Sequence, residues 1–134
     1  MNNELNTEHY QALQRAFDTA WPGPIGQPIF LEKGHLRLQI FPRDGARITS
    51  LQAFGFEVLR QWEPQRKAFQ YGCFPMVPWA GRLGDATLTV GEKQYVLPAN
   101  KPPHALHGMA CYSSWEIVEH KADTLKLRMP LGAP

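Results

Sequence analysis

The sequence predicts an all-β fold, an antiparallel sandwich or barrel, with one helix appended at the N-terminus. Three observations carry this. Apolar and polar residues alternate with a period of two after Gln27, turn residues recur between the short apolar runs, and two pairs of runs are separated by short polar links that suit hairpins. The alternation matters because successive side chains of a strand point to opposite faces.

In chain order, Tyr10, Leu13, Phe17 and Ala20 recur at helical spacing, which predicts a helix over 6–20 that Asn6 or Thr7 could cap and that Trp21-Pro22-Gly23-Pro24 ends. Residues 1–26 are therefore read as helix and linker, and residues 27–134 as the β domain. From His35 to Phe41, Leu36, Leu38 and Ile40 share one face of a half-buried strand. Arg43-Asp44-Gly45 is a turn, Ala46–Phe54 a second strand and Phe56–Gln61 a third after Gly55. The polar run from Glu63 to Phe69 reads as loop. Tyr71–Arg82 has no clean period and reads as an ordered loop, with Tyr71, Phe74, Met76, Val77 and Trp79 seeking burial. Ala86–Val90 and Gln94–Leu97 form a hairpin around Gly91-Glu92-Lys93. After a loop at Pro98–Pro103, Trp115–His120 and Thr124–Met129 form another, with Leu125, Leu127 and Met129 inward.

The bulk numbers set bounds. A chain of 134 residues predicts one domain with a core. The composition, 43% hydrophobic and 19% charged, is that of a soluble globular protein. A formal charge of +2, with Lys and Arg scattered, argues against a nucleic-acid partner. The N-terminus has no signal-peptide pattern and no run is long enough to span a membrane, so no membrane partner and a cytoplasmic location are expected. Cys73 and Cys111 are expected to be reduced, small core residues.

The chemistry concentrates between Phe74 and Trp115. Arg82, between Gly81 and Gly84, is either an ordinary surface arginine or a fixed fork donating to ligand oxygens. His107 closes a Pro-rich loop before Gly108 and can donate to or accept from an oxygen near neutral pH. His104 lies three positions earlier. With Glu116 the pair could make a cupin-type metal site, but no zinc spacing is present, and neither a metal nor another cofactor is expected. His9, His35 and His120 read as solvated. No pair of carboxylates has an evident acid–base role. Donors among aromatics, Trp79 included, suit an uncharged polar ring such as a sugar.

Four motifs in order resemble the aldose 1-epimerase (galactose mutarotase-like) family. The segment Pro75-Met76-Val77-Pro78-Trp79-Ala80-Gly81-Arg82-Leu83 is similar to its P-x-x-P-(F/W)-x-N-R-(I/L) pattern. Gly91 to Asn100 is similar to G-x-x-Y-x-L-x-x-N, with one extra residue between Gly91 and Tyr95, Leu106-His107-Gly108 matches its LHG, and Trp115 follows. The resemblance runs from about Gln27 to the end. It implies an incomplete β-sandwich of the galactose mutarotase-like type, the N-terminal portion of a fold about twice as long. It also implies an isomerase that interconverts the α and β anomers of free hexoses such as galactose or glucose, in which a glutamate takes the C1 hydroxyl proton and a histidine protonates the ring oxygen. By the same resemblance, Arg82 matches the arginine and His107 the earlier histidine that hold the sugar. His107 is thus the candidate catalytic and binding residue, joined in binding by Arg82, His104 and Trp79. The family's acid and base are expected past Pro134, so the 134-residue chain alone is expected to be inactive. Gly81 stands where the family often has Asn. The rival readings are a non-catalytic carbohydrate-binding module and a cupin-type barrel. An incomplete sandwich is also expected to self-associate through uncovered strand edges.

Overall fold

The computed structural model describes residues 18–20 and 23–131. The helix expected over 6–20 falls almost wholly outside them.

Ten strands are described: β1 (Ile29–Lys33), β2 (Leu36–Phe41), β3 (Arg47–Ala53), β4 (Phe56–Glu57), β5 (Arg82–Leu83), β6 (Thr87–Val90), β7 (Lys93–Val96), β8 (Ala105–Leu106), β9 (Glu116–His120) and β10 (Leu125–Arg128). The other elements among the described residues are single 3-10 turns at Ala68–Gln70, Gly84–Ala86 and Ala110–Tyr112. The first four strands form one antiparallel sheet in the order β1-β2-β3-β4, and the others pair as β5–β8, β6–β7 and β9–β10. This is the β architecture that the alternation predicted.

The hairpins sit close to their predicted places. Gly91, at φ 60, makes the β6–β7 turn, and Lys121 donates to Thr124 across the β9–β10 turn. Leu125, Leu127 and Met129 are half-buried while Lys126, Arg128 and Pro130 are exposed, so the predicted inward face holds.

Four expectations change. Ile29–Lys33 is a full strand, in register with β2 from Ile29 opposite Ile40 to Lys33 opposite Leu36. The third predicted strand stops at Glu57. That carboxylate accepts from the Ser50 hydroxyl at 2.6 Å and from the Leu51 and Leu59 amides at 2.9 and 3.2 Å, which bends the chain off the sheet. Cys73 is exposed rather than core. Its backbone is what pairs, exchanging 2.8 Å bonds with Ile48 in both directions. Met76 and Val77 are also exposed, because the Val77 carbonyl, not the side chain, is the anchor: it accepts from Met109 and Ala110.

The largest fully buried side chains carry polar groups. Arg47, Asp44, Tyr71 and Asn100 are each under 2% exposed. Arg47 donates from Nε to Asp44 at 3.1 Å and from a terminal nitrogen to the Ala68 and Tyr71 carbonyls at 2.6 and 3.1 Å. Its guanidinium also lies over the rings of Tyr71 and Phe74, at 4.5 and 4.7 Å. A buried cation needs such complete pairing, because an unpaired one would not stay buried. One arginine thereby ties β3 to the turn at 68–71.

Candidate functional site

The site begins with a two-residue ladder. Arg82 pairs with Leu106 and Leu83 with Ala105 in β5–β8. The sequence reading had loops at both places, and such short strands arise from tertiary pairing rather than from local pattern. Directly after β8, the His107 amide donates to the Gly81 carbonyl at 2.9 Å, and the Gly81 amide donates to His107 Nδ1, also at 2.9 Å. One glycine thus receives one bond and returns another, and His107 is held through both backbone and ring.

This local shape has a steric basis. His107 adopts φ 61 and Gly108 φ 63, and a Cβ on Gly108 would lie 2.0 Å from the Val77 carbonyl oxygen. Only glycine fits there. Gly81 is also left-handed, at φ 77, yet a Cβ there would meet nothing within 4 Å. Asn tolerates that conformation better than most residues, so Gly and Asn are the natural alternatives at this position.

The electrostatics follow. Because Nδ1 accepts a hydrogen bond, the proton of the neutral ring sits on Nε2, which is left as a donor. Partial burial, and after it the nearby Arg82 cation, hold the imidazole below its ordinary pKa. His107 is therefore neutral at pH 7. Phe69 sets its ring edge-to-face against the imidazole, 5.1 Å away and at 83°. Arg82 is exposed, and its guanidinium makes no hydrogen bond or ion pair among the described residues. The ladder thus presents two donors, a fixed imidazole N–H and a free cationic fork. That pair suits an oxygen-rich neutral ligand.

The other two predicted site residues are engaged differently. His104 Nδ1 accepts from the Asp85 amide at 3.2 Å, and its backbone bridges Lys101. Trp79 donates its indole N–H to the Ala105 carbonyl at 3.2 Å, so its polar handle supports β8. Its ring lines a cavity of about 10 Å³ with Asn100, Ala105 and Tyr112, enough for about one water and no sugar. Glu116 is ion-paired with Arg128 at 2.8 Å on the β9–β10 ladder. Among the described residues no three of His, Cys, Asp and Glu converge as metal ligands. A wider depression of about 270 Å³ lies near His35, Arg37 and Phe54 and contains neither Arg82 nor His107. Its charged groups are already used, with Arg37 paired to Glu32 and the His35 ring stacked on Phe54.

Three supporting residues escaped the sequence reading. Asn100 was legible only as a motif position, Phe69 sat in a polar run, and Arg47 was an unremarked residue of the Ala46–Phe54 strand. Their partners lie 6, 38 and 21–24 positions away, too far for local pattern to reveal.

The aldose 1-epimerase family model matches residues 28–132. The chain belongs to the aldose 1-epimerase family. It is 29% identical over 99 residues to the uncharacterised Escherichia coli K12 protein YphB, covering 72% of this chain and 34% of that protein. Among solved structures it resembles a candidate aldose 1-epimerase of Escherichia coli K12, with a TM-score of 0.64 and 27% identity over 75% of this chain and 35% of that one. It also shares the fold of a galactose mutarotase related enzyme from Lactobacillus acidophilus, with a TM-score of 0.59, 21% identity and coverage of 75% and 31%. The chain spans about a third of the length of these relatives. No helix among the described residues is long and apolar enough to cross a membrane.

Proposed function

We propose that this chain forms the sugar-orienting part of an aldose 1-epimerase, with a free hexose such as galactose or glucose as ligand. One observation carries the reading: the Gly81 amide occupies His107 Nδ1, which leaves Nε2–H as a fixed donor beside the unpaired Arg82 fork. His107 would donate to a ring or hydroxyl oxygen and Arg82 to a neighbouring one. His104, held by Asp85, would be an auxiliary donor, and Trp79 a support for β8 more than a contact. The substrate and the residue roles rest on the family resemblance together with this geometry.

Mutarotation needs one group to take the C1 proton and another to give a proton to the ring oxygen, and each typically contributes about 10²–10⁴-fold. His107 is neutral and its Nδ1 is occupied, so it is suited to orient and polarise rather than to shuttle protons. No residue of this chain matches the family's acid or base. The 134-residue chain is therefore expected to bind galactose or glucose yet speed anomer exchange by less than about tenfold over buffer. Polarimetry of freshly dissolved α-sugar and a binding titration test this. Binding with no acceleration fits equally the reading of a carbohydrate-binding module. Absence of binding would sink both, and efficient catalysis would show the acid and base to be misassigned, with His104 examined first.

A further inference from the structure

Asn100 is 1% exposed, and its side-chain amide is used on every side that matters to β8. Oδ1 accepts from the Leu106 amide at 2.6 Å, while Nδ2 donates to the Leu106 carbonyl at 3.0 Å and to the Tyr112 hydroxyl at 3.2 Å. One side chain thus satisfies both backbone groups of one residue, as a neighbouring strand would. Adjacent strand residues direct their backbone groups to opposite edges, so Leu106 serves Asn100 while His107 serves Gly81. Leu106 is also the residue opposite Arg82 in the ladder and the one before His107.

We infer that Asn100 is a positioning residue for the sugar site: by pinning Leu106 from the edge opposite β5, it sets the direction of the His107 ring and the spacing between His107 and Arg82. The inference rests on the proposed donor role of these two residues, and it concerns a side chain that touches no ligand itself. An amide is required, because the pinned pair is one N–H and one C=O. A carboxylate would keep the acceptor and lose both donors, and an alkyl group would lose everything.

The test is imidazole ¹⁵N NMR on the 134-residue chain, with galactose titration as a second arm. In the unsubstituted chain, His107 is expected to show the Nε2–H tautomer with Nδ1 accepting a hydrogen bond, and the Gly81 amide is expected to exchange slowly. Asn100→Ala and Asn100→Asp should both lose that signature at neutral pH, and galactose affinity should fall about tenfold. Ile40→Ala, which removes a buried aliphatic side chain from β2, should lower stability and leave the signature intact. Retention of the signature in either folded Asn100 variant, or its loss in Ile40→Ala as well, would overturn the inference. If both Asn100 variants fail to fold, Asn100 is a structural clamp and the inference also falls. Should the unsubstituted chain bind no galactose while the signature still depends on Asn100, the sugar reading fails and the positioning role stands.

Discussion

Two regions of this chain solve the problem of burial in opposite ways. Around β3, the 68–74 turn and the 100–113 segment, buried polar groups are cross-linked over long sequence separations, as in Arg47 to Ala68 and Tyr71, and Asn100 to Leu106 and Tyr112. The β6–β7 and β9–β10 ladders instead rest mainly on their own hairpin bonds, with the β9–β10 turn also tied to β1 through Glu32 to Ala122 and Lys33 to Asp123, and leave Val90 58%, Val96 81% and Ile117 50% exposed. The difference teaches where precision is held. The site grows from the cross-linked region, while the ladders present apolar surface that a further packing layer could cover.

Substitutions should separate the two regions sharply. The largest effect is expected from Arg47→Ala, which removes the cation paired with the Asp44 carboxylate at 1% exposure, while the Tyr71 hydroxyl still donates to it at 3.4 Å. Breaking one partner of a buried pair costs about 3–5 kcal/mol, so urea denaturation should find the chain largely unfolded. A loss under about 1 kcal/mol would mean that water reaches Asp44. Next comes Gly108→Ala, whose methyl would collide with the Val77 carbonyl. Overpacking of this kind costs about 1–3 kcal/mol. Chemical-shift mapping should place the disturbance at 77–81 and 107–110, and changes confined to position 108 would show that the loop yields freely.

The pH dependence should be visible but smaller. The folded-state pKa of His107 lies below its unfolded value of about 6.5, so the unfolded chain binds the proton more readily. Stability should hold above about pH 6.5, decline as pH falls from there through the depressed folded value, and level off below it. Sugar affinity should weaken over the same range, since protonated Nδ1 can no longer accept from Gly81. An NMR titration giving His107 a pKa above 6.5 would contradict the local geometry.

The smallest effect is expected on the ladders. Val96→Lys should change stability by no more than about 0.5 kcal/mol, as at other exposed sites. Sedimentation would show whether it also reduces self-association. If the substitution leaves the oligomeric state of an associating chain unchanged, the β6–β7 face is not the contact.

The same contrast explains what could be read from sequence. The hairpins were legible because turn residues and alternation are local, and Arg82 and His107 because a loop motif marks them. Strand β1 was not, since its IFLEK run lacks clean alternation and gains its pairing from β2. Strands β5 and β8 consist of two residues each and exist only through one another. The polar core was missed for the same reason: Asp44 in an Arg-Asp-Gly turn looks solvated until Arg47 closes over it. Side-chain burial was overestimated at Cys73, Met76 and Val77; at Cys73 and Val77 the backbone makes the contact and the side chain is left outside.

The doubled bond between Gly81 and His107 has a consequence for the thermodynamics of recognition. A ring already seated in one rotamer gives up little conformational entropy when a ligand arrives, because that freedom was surrendered when the chain folded. The loops at 77–82 and 104–109 should consequently move as one body, and a ligand touching either will be felt by both. The Gly81 amide, a hydrogen-bond donor to a titratable ring, would then report on that body through its exchange rate.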